Sequence, residues 1–298
     1  LDSSKAHIVT LWCAVVSKAS RGLTRTLPKD LPLPHVRVLL QLSLPGVSPL
    51  GVCQVAHALV MKPDDVRAAA EALTERVLVE ARADGALCLT ASGRACAEGL
   101  FALVGDYVSR CLEPLSDQER DVLAVILRAP LSLPGGFCLP EGGACAVGER
   151  LDPRCYLSSF SIISAVAAAA AKNATGLSLT DFRFLLELYP KRRLGVKTLR
   201  ARDVVAFLRT GRSYVSTASV RLEKQGLLVR VPDEHDARGV LFQLTAKGVL
   251  CVQDASEDIY ASLVSLCGSR LGERQVLQML KRLLIAEDEL LACSGSPS

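Results

Sequence analysis

The chain has 298 residues, half of them apolar and 22% charged. That length suits two domains, and the composition excludes both extremes: too many charges for a membrane bundle, too much apolar content for a disordered chain. The formal net charge of +4 hides an asymmetry, since residues 1–150 carry 15 Lys and Arg against 16 Asp and Glu, and residues 151–298 carry 20 against 15. Taken in chain order, the first element is an apolar helix over residues 4–20, which contains Cys13. Its apolar run, like that at 162–171, is shorter than the roughly 18 to 20 residues that span a bilayer, so no membrane contact is expected. Leu1 in place of Met reads as an internal or processed start, and Lys5 alone makes a poor leader segment for secretion.

A helix over 35–42 follows, then two short helices joined by a tight turn, 51–59 and 63–75. The period then shifts to two: 78–82 and 86–89 flank Asp84-Gly85, a hairpin signal expected to form a two-residue turn. Thr90 can cap the long helix that comes next, and a further helix over 117–128 closes this half. Residues 129–154 show no helical period and hold four Pro and five Gly, the density of a linker.

The order then repeats. A helix is expected over 157–172, another over 181–188 capped by Thr180, a short pair at 201–208 and 213–224 with Gly226 at the C′ position, and a hairpin of 227–231 and 240–244 around PDEHDARG. Thr245 can cap the next long helix, and 273–287 closes the second half. The repetition is legible in the residues themselves: LPHVRVLLQL at Leu33–Leu42 lies against LTDFRFLLEL at 179–188, and TASG at 90–93 against TAKG at 245–248. The expected fold class is therefore mainly α with small β-hairpin wings, two tandem winged helix-turn-helix domains, 1–128 and 157–293, joined by a linker at 129–156.

Through LTDFRFLLEL, RSYVSTASVRLEKQGLLVR, the wing PDEHDARGVLFQLTAKG and the long helix after it, the second half resembles the MarR family of bacterial transcriptional regulators. The first half resembles it more weakly, over its helices and LTASG. The resemblance implies a fused form of a regulator that is ordinarily a homodimer, with the terminal helices of the two halves forming an intramolecular pseudo-dimer; a dimer of whole chains is the competing arrangement. It also implies that 213–224 enters the major groove of duplex DNA and that the hairpin lies against the minor groove.

The residues agree with that role. Between Lys191 and Arg230, 11 basic residues face only Asp203 and Glu223, a footprint suited to a polyanion. Arg212 and Ser213 stand at a helix N-terminus, where free N–H groups favour phosphate. Tyr214, Thr217 and Arg221 share a face at helical spacing with Ser216 beside it, offering donors to bases or backbone. Arg238 matches the family's wing-tip arginine and Asp236 the acid that orients it. In the first half Asp64 and Asp65 replace Ser213 and Tyr214, Ala68 and Ala69 replace Thr217 and Ala218, and the shorter wing has no counterpart of Arg238; that half is expected to have lost DNA affinity and to serve as dimerisation partner or sensor.

Other chemistry is sparse. Eleven cysteines, an odd number with no CxxC pair, indicate neither a disulfide framework nor a zinc ribbon and suit reduced thiols in a cytoplasm. Cys13 stands where a peroxide-sensing branch of the family places a reactive thiol, without a cationic neighbour in sequence to activate it. Cys138, Cys145 and Cys155 fit no common zinc spacing, and His235 reads as wing surface. With no GxSxG, P-loop, HExxH or dinucleotide fingerprint, neither an enzyme nor a cofactor is expected. The leading function is a DNA-binding regulator answering a small-molecule or stress signal; the alternative is an interaction module that docks another regulator or polymerase.

Overall fold

The computed structural model describes residues 3–44, 48–128, 153–193, 198–208, 210–233, 236–267 and 272–293. The expected linker lies almost wholly outside them, as do Cys138, Cys145 and His235 and the side chain of Cys155. In chain order the elements are α1 (Ser3–Thr26), α2 (Leu33–Leu42), α3 (Val52–Leu59), α4 (Pro63–Glu75), β1 (Val79–Ala81), β2 (Leu87–Leu89), α5 (Ala91–Leu112) and α6 (Asp117–Arg128). They continue as α7 (Pro153–Thr175), α8 (Leu179–Arg193), β3 (Leu199–Arg200), α9 (Ala201–Leu208), α10 (Arg212–Lys224), β4 (Leu228–Asp233), β5 (Asp236–Leu244), α11 (Ala246–Cys267) and α12 (Glu273–Cys293). The architecture is thus mainly helical with small antiparallel sheets, and no helix among the described residues is long and apolar enough to cross a membrane.

The chain packs as two units. One comprises residues 1–13 and 166–264, the other 14–165 and 265–298. In the first unit α8 supplies a row of buried apolar residues, Phe182, Phe184, Leu185 and Leu186, and Phe184 meets Phe242 of β5 edge to face with centroids 5.1 Å apart. Val215, Ala218 and Leu222 bury the inner face of α10. The opening turns of α1 contribute Ile8, Val9, Leu11 and Trp12, and Lys5 pairs with Glu257 at 3.8 Å while standing over the Tyr260 ring.

The second unit repeats the same order of elements. Val66, Ala69, Ala70 and Leu73 are the buried residues of α4, at the same places along a helix of the same 13 residues as Val215, Ala218, Ser219 and Leu222 of α10. The junctions after those helices also correspond. Thr90 accepts a hydrogen bond from the Gly93 amide and donates toward the Leu78 carbonyl; Thr245 does the same with Gly248 and Leu227. A Cβ on Gly93 would fall on the Leu78 carbonyl oxygen, and one on Gly248 on that of Leu227, so only glycine lets the long helix start this close to the hairpin root. Helix α12 packs on α5 within this unit, and Arg282 of α12 pairs with Glu119 of α6 at 2.9 Å.

Several sequence expectations need correction. Helix α1 runs on to Thr26, past the expected end at residue 20, because Ala19 and Leu23 extend its buried stripe and Gly22 admits the Tyr107 ring of α5 against the backbone. Helix α7 opens at Pro153, inside the stretch assigned to the linker, with proline in the first turn where its missing N–H costs nothing. The cap of α8 is Ser178, whose hydroxyl accepts from the Asp181 amide at 3.1 Å; Thr180 already lies within the helix. The hairpin at Gly85 closes with three residues outside the paired positions, since Arg82 donates to the Ala86 carbonyl at 2.8 Å and Gly85 takes a left-handed φ of 79°. The wing strands of the first unit are longer than expected, and β3 joins them in the order β3-β5-β4. In the second unit the counterpart of β3 is a single bridge between Leu50 and Leu87.

Candidate nucleic-acid interface

Helix α9, a short turn and helix α10 form the helix-turn-helix, and β4 and β5 form the wing beside it. Gly211 stands at the N-cap of α10 with extended backbone, which leaves the first amides of the helix open. With about 3.6 residues per turn, Val215, Ala218, Ser219 and Leu222 define the inward face of α10. Ser213, Thr217 and Lys224 then lie outermost, and all three are exposed. Arg212 and Ser216 sit on the flank toward the wing; Tyr214 and Arg221 sit on the flank toward α8.

The wing-side flank forms a concave surface lined by Arg200, Arg202, Arg212, Ser216, Arg230 and Val240. Three of its four arginines pair with acids, Arg202 with the neighbouring Asp203 at 3.9 Å. Arg200 pairs with Asp233 at 2.9 Å, the aspartate being buried, and Arg230 pairs with Glu223 at 2.7 Å. The Arg230 amide and then its guanidinium hold the Glu223 carboxyl below its ordinary range. The α8-side flank is built differently. Tyr214 donates its hydroxyl to Asp181 Oδ1 at 2.9 Å, and Arg221 donates Nη2 to the same oxygen at 2.6 Å. Burial, followed by that hydrogen bond, raises the Tyr214 phenol, and the same carboxylate raises Arg221 through its own hydrogen bond.

Of the residues anticipated for DNA contact, Arg212, Ser213, Ser216, Thr217 and Arg221 are exposed, and Arg221 lines one open depression with Ser216, Thr217 and Lys224. Tyr214 and Arg221 are turned to a carboxylate of their own unit. Asp236 and Arg238 fall in β5, with Asp236 opposite Asp233, and their side chains lie outside the described residues. Lys224, Arg200, Arg202 and Arg230 join the surface without an individual signal in the sequence, although all belong to the basic window. That window overstates the free charge, because Asp181 and Asp233, outside it in sequence, fold back onto Arg221 and Arg200. Asp181 itself carries no sequence signal beyond its place in the first turn of a helix.

Cys13 is buried in α1, and desolvation, opposed by the Arg183 charge, pushes its thiol up to about 11, the reverse of what a sensor thiol requires. Among the described residues no group of His, Cys, Asp and Glu could hold a metal ion.

The corresponding face of α4 is acidic. Asp64, Asp65, Glu71 and Glu75 are exposed, and Arg67 is paired with Asp64 at 2.6 Å. The positions that match Asp181, Tyr214 and Arg221 hold His35, Asp65 and Ala72, so the shared-carboxylate arrangement is absent there.

No curated protein matches this chain. Among solved structures, similar chains include Sco3205, a MarR family transcriptional regulator from Streptomyces coelicolor in complex with DNA, at 21% identity and a TM-score of 0.40, covering 53% of this chain and 93% of that one. CouR from Rhodococcus jostii RHA1 bound to p-coumaroyl-CoA is 22% identical with a TM-score of 0.37, over 52% of this chain and 99% of that one. A MarR family regulator from Rhodococcus sp. RHA1 is 22% identical with a TM-score of 0.37, over 51% and 97%. From the last residue of α7 through α8, α9 and α10 into the wing, residues 175–239 match the model of the MarR family.

Proposed function

We propose that this chain is a transcription regulator that reads duplex DNA with α10 and the β4–β5 wing. The observation that carries the reading is the surface of α10: Arg212, Ser213, Ser216, Thr217 and Lys224 are exposed together beside the concave flank of the wing. Such a surface supplies phosphate contacts from the helix N-terminus and cations, and hydroxyls that can read base edges, those of Ser213 and Ser216 as donors or acceptors and that of Thr217, which donates to the Ser213 carbonyl at 3.0 Å, as an acceptor. In this reading Arg238 and Asp236 of β5 belong to the wing's contact with the minor groove, as the family resemblance implies.

In this reading the halves 1–128 and 157–293, joined by 129–156, are tandem copies forming a pseudo-dimer with one working head. The recurrence of buried positions between α4 and α10 and of the Thr90–Gly93 and Thr245–Gly248 junctions supports duplication. The acidic face of α4 supports loss of DNA affinity in the first copy, because carboxylates at the helix start repel phosphate. An effector acts through the terminal helices by shifting the population of head positions.

The test is selection of bound sequences from a random duplex pool, followed by titration across salt. A single half-site motif is expected, with log Kd changing by about 0.9 per neutralised phosphate against log salt. Arg212→Ala should cost about tenfold in affinity and reduce that slope by about one. Binding that ignores both salt and sequence would instead favour a module that docks another regulator or polymerase.

A further inference from the structure

Tyr214 and Arg221 are seven residues apart on α10 and occupy nearly the same angular position, facing the first turn of α8. Both donate to one oxygen of Asp181, whose side chain is only 6% exposed, whereas that of Arg221 is 44% exposed. The Asp181 amide is itself fixed by the Ser178 hydroxyl, so the carboxylate hangs from a capped helix start. Two contacts two turns apart along α10, converging on one point, oppose rotation of that helix about its axis. They also place an anion directly on a cation that would otherwise face phosphate.

We infer that Asp181 is a positioning residue for DNA reading: it removes Tyr214 and Arg221 from the set of groups that touch DNA and locks α10 so that Arg212, Ser213, Ser216, Thr217 and Lys224 face outward. The inference rests on the DNA-reading proposal and adds a specificity device to it. Arg221, neutralised internally, releases no counterion from DNA, and the Tyr214 hydroxyl, already engaged, reads no base. A free Arg221 would add sequence-independent attraction to any duplex, which lowers discrimination. The first half has no such device, with His35, Asp65 and Ala72 at the three positions.

The test uses the full chain, the selected duplex and an unrelated duplex, with affinities measured across a salt series. Asp181→Asn keeps the acceptor oxygen and removes the charge. It should steepen the salt slope by about one and tighten binding to the unrelated duplex about fivefold at roughly 0.1 M salt, with a matching fall in the specificity ratio. The paired variant Asp181→Asn with Arg221→Gln should restore the wild-type slope, a rescue that a purely structural role for Asp181 does not predict. Thermal unfolding of both variants verifies that they are folded, and Tyr214→Phe, expected to retain the wild-type slope, gives a second arm that leaves the carboxylate in place. A paired variant whose slope is shallower by about one, as for Arg212→Ala, would show that Arg221 contacts phosphate and overturn the inference while leaving DNA reading intact. If Arg212→Ala and Lys224→Ala also leave binding unchanged, the DNA reading falls and this inference with it.

Discussion

At the end of α4 stands Val77, with φ of 58° and an exposed side chain; at the matching place after α10 stands Gly226, with φ of 71°. The same backbone turn is thus made once by a residue that adopts it freely and once by a β-branched residue that does not, at a cost of about 1 to 3 kcal/mol. Val77→Gly is expected to stabilise the protein by about 1 kcal/mol, the relief of strain outweighing the added freedom of the unfolded chain, as read by urea unfolding. The converse holds where glycine is required by contact. Gly248→Ala drives its methyl onto the Leu227 carbonyl and should destabilise by about 2 to 3 kcal/mol, and Gly93→Ala should do the same against Leu78. Equal losses at the two sites would be the energetic counterpart of their matching geometry. Gly226 is legible from sequence because a glycine after a helical period signals a left-handed cap; Val77 is not, because nothing about valine announces a positive φ. The Asp181 cluster is hidden for a related reason. Its partners are 33 and 40 residues away, and spacing along α10 reveals a shared face without saying what that face meets.

Among whole elements, those with chemical signals at both ends are legible in the sequence, as with α4 between Pro63 and the hairpin, and α9. Those whose ends depend on tertiary packing are not: α1 outruns a sequence that looks like a stop, and β3 is only two residues long, visible solely through its pairing with β5. Helix α6 shows how a local cap becomes a tertiary joint. Ser116 and Glu119 form a reciprocal capping box, with the Glu119 amide donating to the Ser116 hydroxyl and Glu119 Oε2 accepting from the Ser116 amide and hydroxyl. Oε2 also accepts from Arg282 of α12 at 2.9 Å. Burial works against the Glu119 charge, but the Ser116 hydrogen bonds and the Arg282 guanidinium outweigh it and hold the carboxyl below its ordinary range. A lowered folded pKa means that the unfolded chain binds the proton first. The stability Glu119 contributes is therefore complete above the ordinary carboxylate range and is lost as pH falls through its lowered value. Glu119→Gln should lower stability near neutral pH and flatten its decline as pH falls through and below the ordinary carboxylate range, as followed by urea unfolding. An unchanged pH profile would remove Glu119 from the joint.

At the scale of the molecule, the boundaries of repetition and of packing differ. Repetition divides the chain near residues 128 and 157, whereas packing assigns residues 1–13 to the unit of the second half and 265–298 to the unit of the first. The fused-dimer reading proposed above expects such an exchange, with each half completed by a terminal segment of the other. It has a concrete consequence for dissection. A fragment of residues 1–128 lacks α12, and with it the cover for α5 and the Arg282 partner of Glu119. A fragment of residues 153–298 lacks Ile8, Val9, Leu11 and Trp12, all buried, and the Lys5 contact with Glu257. Fully exposing a large apolar side chain costs about 1.5 to 3 kcal/mol, so losing four is comparable to the whole stability of an ordinary domain. Each fragment alone is expected to unfold or aggregate, and the two expressed together should form a one-to-one complex with helicity and DNA affinity close to those of the intact chain at micromolar concentration. Circular dichroism and sedimentation of the separate and mixed fragments test this directly. If residues 1–128 alone unfold cooperatively with the intact chain's stability, the exchanged ends contribute nothing and the fused-dimer reading loses its physical basis. If the mixture instead assembles and recovers DNA binding, covalent fusion serves to raise the effective concentration of a partner the second half cannot fold without, to about the millimolar range for a short flexible connection.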